Sequence, residues 1–233
     1  MDIKEEAILG DTLEDHWYYR AKRLAMDTML EGVTANTVLD VGAGSSIFSK
    51  HLLDKGVSSA ICVDAAYAVP DRSDVFHGKP IRYLREVKDG NADLVLLMDV
   101  LEHVDDDVEL IRTSLKGATS GAYVLITVPA FQALFSAHDR FLEHKRRYTV
   151  HSLEDAVAAA GLEILSTRYF FGFVLPIAAM LRVLQRDAPA KSSLAAHSPL
   201  VNALLTLVHR AELPLFKFNR LGGLSVFCLA RVP

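Results

Sequence analysis

The chain is poor in several things, and each shortage excludes something. It has two cysteines and one tryptophan among 233 residues. Cys62 and Cys228 lie in separate apolar runs, so they read as buried thiols of a reducing compartment rather than as a disulfide framework. The opening Met-Asp-Ile-Lys-Glu-Glu lacks the basic start and apolar core of a signal peptide, which sets a cytoplasmic expectation. The longest apolar stretch, 169 to 181, is broken by Gly172 and Pro176 and falls short of the roughly 20 residues that span a bilayer. It reads as a cavity wall or a surface insertion, with peripheral membrane contact as the most it supports. Charge of one sign is also in short supply: 25 Lys and Arg face 29 Asp and Glu, a net −4. Nothing global therefore draws the chain to nucleic acid, although Lys145, Arg146 and Arg147 cluster locally. There is no internal repeat and no low-complexity tract, and the length suits one α/β domain with additions.

What is present begins at residues 38 to 44, Val-Leu-Asp-Val-Gly-Ala-Gly, followed 20 residues after Gly44 by Asp64 at the end of a second apolar run. An apolar strand that breaks into Gly42, Ala43 and Gly44 makes a tight turn whose backbone a ligand can approach. Asp64, ending the next strand, can accept hydrogen bonds from both hydroxyls of a ribose. A dinucleotide loop needs a further glycine at position 47, where this chain has Ile. Asp40, ahead of the first glycine, suits an ammonium group better than a phosphate. Both departures point away from NAD and toward S-adenosylmethionine.

With those residues the chain resembles the class I S-adenosylmethionine-dependent methyltransferases, whose first motif is Asp/Glu-x-Gly-x-Gly-x-Gly. Ser46 stands where that motif has its third glycine. Residues 93 to 107, Asp-Leu-Val-Leu-Leu-Met-Asp-Val-Leu-Glu-His-Val-Asp-Asp-Asp, and 121 to 129, Gly-Ala-Tyr-Val-Leu-Ile-Thr-Val-Pro, resemble the fourth and fifth strand regions of ubiquinone-type and related small-molecule enzymes. His16-Trp17-Tyr18-Tyr19-Arg20 and the stretch Ser136 to Tyr148 are similar to segments of a bacterial subgroup. The resemblance covers about residues 12 to 175. It implies a Rossmann-like, doubly wound, mostly parallel sheet and an enzyme that methylates O or N of a small molecule, with a saccharide or lipid-linked acceptor among the options. S-adenosyl-L-homocysteine would be the product. The Asn/Asp-Pro-Pro-Tyr/Phe motif of base methylation is absent from the sequence, which argues against a nucleic-acid acceptor. A non-catalytic protein that binds the cofactor for regulation or as a scaffold is the alternative. Oligomeric state is not legible.

The periodicities predict an amphipathic helix over 13 to 31, strands over 37 to 41, 60 to 64, 81 to 84, 94 to 98, 122 to 128 and 162 to 166, and helices over 47 to 55 and 105 to 115. Ser152 is expected to cap a helix ending at Gly161, with Asp155 at its capping-box position. A loop is expected over 187 to 198, a helix over 199 to 213, and a last antiparallel strand over 224 to 230 at or near the sheet edge. One domain spans 1 to 233, with an amino-terminal lid or packing helix at 11 to 32 and a substrate-side addition at 169 to 222.

Around the cofactor, Asp64 and Ala65 are expected at the ribose, Leu84 and Arg85 near adenine, and Asp99 with Val100 at the methionine end or sulfonium. Trp17 is either packing or part of a lid over the sulfonium, where Arg20 or Arg23 could bind the methionine carboxylate. His138, Asp139 and His144, after the fifth strand, are the candidates for a general base or for the loop that holds one. Asp105, Asp106 and Asp107 are explained by the positive end of a helix dipole, and no metal site is expected. Arg146 and Arg147 either recognise an acidic substrate group or pair with nearby carboxylates.

Overall fold

The structure, a computed structural model, describes residues 8–69, 71–184, 189 and 197–233. In chain order these form α1 (Trp17–Met29), β1 (Thr37–Val41), α2 (Ile47–Asp54), β2 (Ser59–Val63), β3 (Arg72–Phe76), β4 (Lys79–Leu84) and β5 (Ala92–Met98). Then follow α3 (Asp107–Leu115), β6 (Ala118–Pro129), α4 (Ala137–Phe141), α5 (Val150–Ala159), β7 (Glu163–Phe170), α6 (Leu175–Leu184), α7 (Pro199–Phe216) and β8 (Ser225–Arg231).

Alternation along the central strands sets the layers. Val38 of β1 and Leu94, Leu96 and Met98 of β5 face one side, while Leu39, Val41, Val95 and Leu97 face the other. Strands apolar on both faces must be covered on both. The first side is closed by Tyr19, Ala25 and Met26 of α1, Phe48 and Leu53 of α2 and Phe216 of α7. Ile111 of α3 and Leu153 and Val157 of α5 close the second.

The sheet runs β3-β4-β2-β1-β5-β6-β8-β7. Its five central strands, β4 to β6 in that order, are parallel, and β3 and β8 run antiparallel to their neighbours. This is the Rossmann-like, doubly wound arrangement that the sequence predicts. From β1 the chain winds to β2 on one side and later to β5 on the other, which opens a crevice at the carboxyl ends of β1 and β5.

As expected, β8 is antiparallel and lies near the sheet edge, between β6 and the edge strand β7. Three points differ from expectation. β3 was not expected: Arg72 to Val75 are all exposed, so no apolar alternation marks them as a strand. The helix at 150 is capped one turn early by Thr149, whose hydroxyl accepts from Ser152 N at 3.1 Å, with Ser152 Oγ accepting in return from Thr149 N at 2.9 Å. The first helix starts only at Trp17, with His16 as its N-cap. The expected loop over 187–198 lies, apart from 189, 197 and 198, outside the described residues. No helix among the described residues is long and apolar enough to cross a membrane.

Candidate active site

The turn after β1 is tied to the neighbouring strand through its backbone. Gly42 N and Ala43 N both donate to Val63 O, at 2.7 and 3.1 Å. Gly42 has φ of 71°, and a Cβ there would come within 2.6 Å of Val100 on the loop after β5. Glycine is thus required on two counts, by the left-handed backbone and by the close approach across the crevice. Ser46 has φ of 60°, so it adopts the conformation that its motif reserves for glycine. The loop keeps its course at the expense of strain in that one residue.

Asp64 closes the turn. One carboxylate oxygen accepts from Gly44 N at 3.0 Å and the other from Ala66 N at 2.9 Å. Each oxygen has a second lone pair, so two acceptor positions remain for a ribose diol. Ala65 beside it is exposed. Tyr67 adds a hydroxyl donated to Gly44 O at 2.9 Å, and Arg85 braces the same loop by donating to Tyr67 O at 2.6 Å and Ala68 O at 2.9 Å. Leu84 is buried, and its carbonyl accepts from Asp64 N at 2.9 Å. Leu84 thus holds the turn through its carbonyl and Arg85 through its guanidinium. A cavity of about 290 Å³ opens here, lined by Gly44, Ser45, Tyr67, Ala68 and Tyr83 among others.

Asp40 points beneath the turn. It is buried, with Oδ2 accepting from Ser49 Oγ at 2.6 Å and Oδ1 left without a hydrogen-bond partner. Burial raises its carboxyl above the ordinary range, against the hydrogen bond from Ser49. A buried acceptor with an unused oxygen under a glycine turn fits the amino-acid end of S-adenosylmethionine.

At the other wall of the crevice Asp99 has φ of 55° and accepts from Thr127 Oγ1 at 3.1 Å. It also pairs with Lys22, a fully buried lysine of α1 whose Nζ lies 5.0 Å from the centre of the Tyr18 ring. Lys22 therefore stands where Arg20 or Arg23 was expected. Arg20 and Arg23 lie elsewhere, lining a second cleft with Leu24, His51, Thr206 and Arg210. Trp17 is a packing residue in this structure: its N donates to Asn202 Oδ1 at 3.1 Å and its ring stacks on His209.

Beyond Asp99 a polar network gathers residues from four loops and helices. Asp139 is the hub. Its Oδ1 accepts from Arg147 Nε at 2.7 Å and lies 3.0 Å from His144 Nδ1, while Oδ2 accepts from Ser136 N at 2.8 Å. Burial would raise this carboxyl, but the hydrogen bond from His144 and the charge of Arg147 outweigh it and hold it at about 2. Arg182 of α6 reaches the same carboxylate at 3.8 Å. His138, on the first turn of α4, is lowered by burial to about 4, so it stays neutral and is a weak base.

The other ring nitrogen of His144 lies 4.0 Å from Glu102, and its ring meets His103 edge to face at 4.7 Å. Glu102 is fully buried with neither carboxylate oxygen hydrogen-bonded, and burial raises its carboxyl from 4.5 to about 7, with Lys22 and Arg147 opposing. Glu102, His103 and His144 bring one metal-ligand atom each within 4.8 Å of one another. Sequence spacing does not show that cluster, because His144 comes from a different loop.

The flanking acids behave as the helix-start reading expects. Asp106 caps α3, accepting from Glu109 N at 2.9 Å, and Asp107 accepts from Tyr148 Oη at 2.7 Å. Arg146 donates to Val104 O and Asp105 O, while Arg147 is committed to Asp139 and Ala130 O. Both arginines pair within the protein. Lys22, Glu102 and Tyr67 are the site residues that the sequence left unmarked. Each sits in an ordinary helical or loop context, and only the spacing of Asp99 and Glu102 after an apolar strand hinted at the second.

A glycine turn at a switch point, a carboxylate at the end of the adjacent strand and a buried acid under the turn match the class I S-adenosylmethionine-dependent methyltransferase arrangement. The chain belongs to the methyltransferase-domain family, which matches residues 15–167, and its cofactor is S-adenosylmethionine. It is 27% identical over 111 residues to the ubiquinone biosynthesis O-methyltransferase of Nitrosomonas europaea, a match covering 44% of this chain and 47% of that protein. The matched part is thus about half the length of that curated relative. An S-adenosylmethionine-dependent methyltransferase from Mesorhizobium loti shares the fold with a TM-score of 0.57 at 18% identity, covering 91% of this chain and 97% of its own. One from Archaeoglobus fulgidus does so with a TM-score of 0.52 at 16% identity, covering 98% and 97%.

Proposed function

We propose that this chain transfers the methyl group of S-adenosylmethionine to an oxygen or nitrogen of a small molecule in the cytoplasm, with His144 as the base. The observation that carries the reading is the Asp139–His144 pair after β6, at the same end of the sheet as Asp99 after β5. A carboxylate 3.0 Å from Nδ1 orients the imidazole and fixes its proton there, leaving Nε2, 4.0 Å from Glu102, with the lone pair that can accept a proton. Of the three candidates, His138 is too weak a base and Asp139 is already committed to Arg147, which leaves His144.

The cofactor, when bound, supplies a methyl group on a sulfonium that leaves as a neutral thioether, so no acid is needed for the leaving group. Gly42, Ala43 and Gly44 let the ligand approach the backbone, and Asp64 takes the ribose. Asp40 and Asp99 take the ammonium of the amino-acid end and Lys22 its carboxylate, with Asp99 and Lys22 exchanging their mutual pair for the ligand. Nε2 of His144 takes the proton that the acceptor loses as its oxygen or nitrogen bonds to the methyl carbon. Asp139 then stabilises the imidazolium. The apolar α6, tethered through Arg182 to Asp139, favours an acceptor with an apolar portion, such as a saccharide on a lipid carrier.

The test is to titrate the protein calorimetrically with S-adenosylhomocysteine and then measure its release from S-adenosylmethionine with a free sugar and with the same sugar on a polyprenyl phosphate. Release with the lipid-linked sugar is expected. Binding without release from any hydroxyl- or amine-bearing acceptor would instead favour a regulatory or scaffold protein. Absence of binding would remove the cofactor from the reading.

A further inference from the structure

The last long helix is inside out. The buried residues of α7 are Asn202, Thr206, His209, Glu212 and Phe216, four of them polar. They have protein partners: Asn202 accepts from Trp17 N, and Glu212 accepts from Gly172 N at 2.6 Å and pairs with His209 at 3.0 Å. The opposite face carries Leu200, Leu204, Leu207 and Leu215, exposed by 79, 59, 62 and 58%. With Ala211 these recur at i, i+4, i+7, i+11 and i+15, an unbroken apolar stripe without a charge. An amphipathic helix of a soluble domain turns such a stripe inward. This one turns it to solvent, and α6 does the same with Ile177, Met180, Leu181 and Leu184. Phe218 and Leu221, just past α7, are exposed as well.

Charge says what covers the stripe. Between residues 168 and 222 there are seven lysines and arginines against two acids, in a chain whose total is −4, and three of the seven, Arg182, Lys217 and Arg220, pair with Asp139, Glu31 and Glu154 outside that stretch. Along one flank of the stripe runs the second cleft, of about 290 Å³, where Arg210 of α7 meets Arg20 and Arg23 of α1. No carboxylate lines that cleft; Arg23 donates to Glu14 O and has Glu14, Asp15 and Asp27 near it, while no described carboxylate pairs with Arg20 or Arg210. An apolar stripe bordered by converging guanidinium groups matches the boundary between acyl chains and anionic headgroups. A second copy of a chain with this cationic border would bring like charges together.

We propose that α7 lies in the surface of an anionic phospholipid bilayer, its leucine stripe at the acyl boundary and Arg20, Arg23 and Arg210 against lipid phosphates. The docking surface stands independently of the acceptor and of the base assigned above.

The test is co-sedimentation of the whole chain with vesicles of phosphatidylcholine alone and of phosphatidylcholine mixed with phosphatidylglycerol. The expected result is binding about ten-fold stronger to the mixed vesicles, weakened by salt. L204Q/L207Q, which leaves the buried face intact, should abolish binding without changing the melting temperature. R210Q should weaken it several-fold. Four results would overturn the proposal. The protein could fail to bind the mixed vesicles, or L204Q/L207Q could bind them as well as the parent. Sedimentation velocity without lipid could show a dimer that L204Q/L207Q breaks, which would give the stripe to a second copy. Displacement from the vesicles by glycerol phosphate with the stripe intact would assign the arginines to a soluble phosphate instead.

Discussion

The turn after β1 and the loops after β5 and β6 meet at the same end of the sheet, yet they are built differently. The cofactor turn is local: five residues from Asp40 to Gly44, held by backbone bonds to Val63 and by Asp64 at the end of the adjacent strand. The network around Asp139 draws Glu102, His144 and Arg182 from parts of the chain up to 80 residues apart, and holds them by charge. The first can be read as a motif because its geometry is a property of consecutive backbone angles. The second exists only where separate loops converge, so it is free to differ in chemistry while the cofactor turn stays the same.

If that division is right, substitutions on the two sides should affect different measurements. The largest effect is expected at His144. His144→Ala should lower methyl transfer by about 10²- to 10⁴-fold with S-adenosylhomocysteine affinity changed by no more than about two-fold. Equal losses in both would merge the two sides and remove His144 as the base. Gly42→Ala should cost about 2 to 3 kcal/mol of stability and of cofactor binding, from the positive φ and the contact with Val100. Adding Val100→Ala should return part of that loss, and a strictly additive double mutant would show that the contact is not its source.

Glu102 gives a pH test. A carboxyl whose folded value is raised from 4.5 to about 7 holds its proton more tightly in the native state, so stability falls as pH rises between those values. Glu102→Gln should remove that fall and melt higher than the parent at pH 8, by an amount on the order of 2 kcal/mol, with little difference at pH 4. Parallel melting curves across that range would contradict a buried carboxyl without a hydrogen bond. Asp64→Ala should weaken S-adenosylhomocysteine by about ten-fold, or roughly 1.4 kcal/mol, and unchanged affinity would take it out of the site. The smallest effect is expected from Ser46→Gly, which relieves the left-handed serine and should stabilise the protein by about 0.5 to 1 kcal/mol. A lower melting temperature would show that the Ser46 hydroxyl outweighs the strain.

The limits of legibility fall along the same line. β1 is found at its expected bounds, and the apolar core of β5 lies within the strand observed, because strands buried on both faces leave continuous apolar runs. β3 escaped notice because an exposed edge strand needs no apolar face. Thr149 and Ser152 can both cap a helix by chemistry, and only the path of the chain chose between them. Likewise Arg20, Lys22 and Arg23 are three cations within one helical turn. Helical geometry sends Lys22 into the crevice and the two arginines to the far cleft, a difference of rotation that the list of residues does not carry.

By itself the sequence determined the layered α/β sheet, the glycine turn and the carboxylate that ends the adjacent strand, since each depends on residues within reach of one strand and its next loop. Tertiary structure alone decided that Asp139 orients His144, that Lys22 meets Asp99 and that α7 shows leucine to the outside. Those facts depend on which faces of distant elements are turned together, and burial and charge pairing settle that only after the chain has folded.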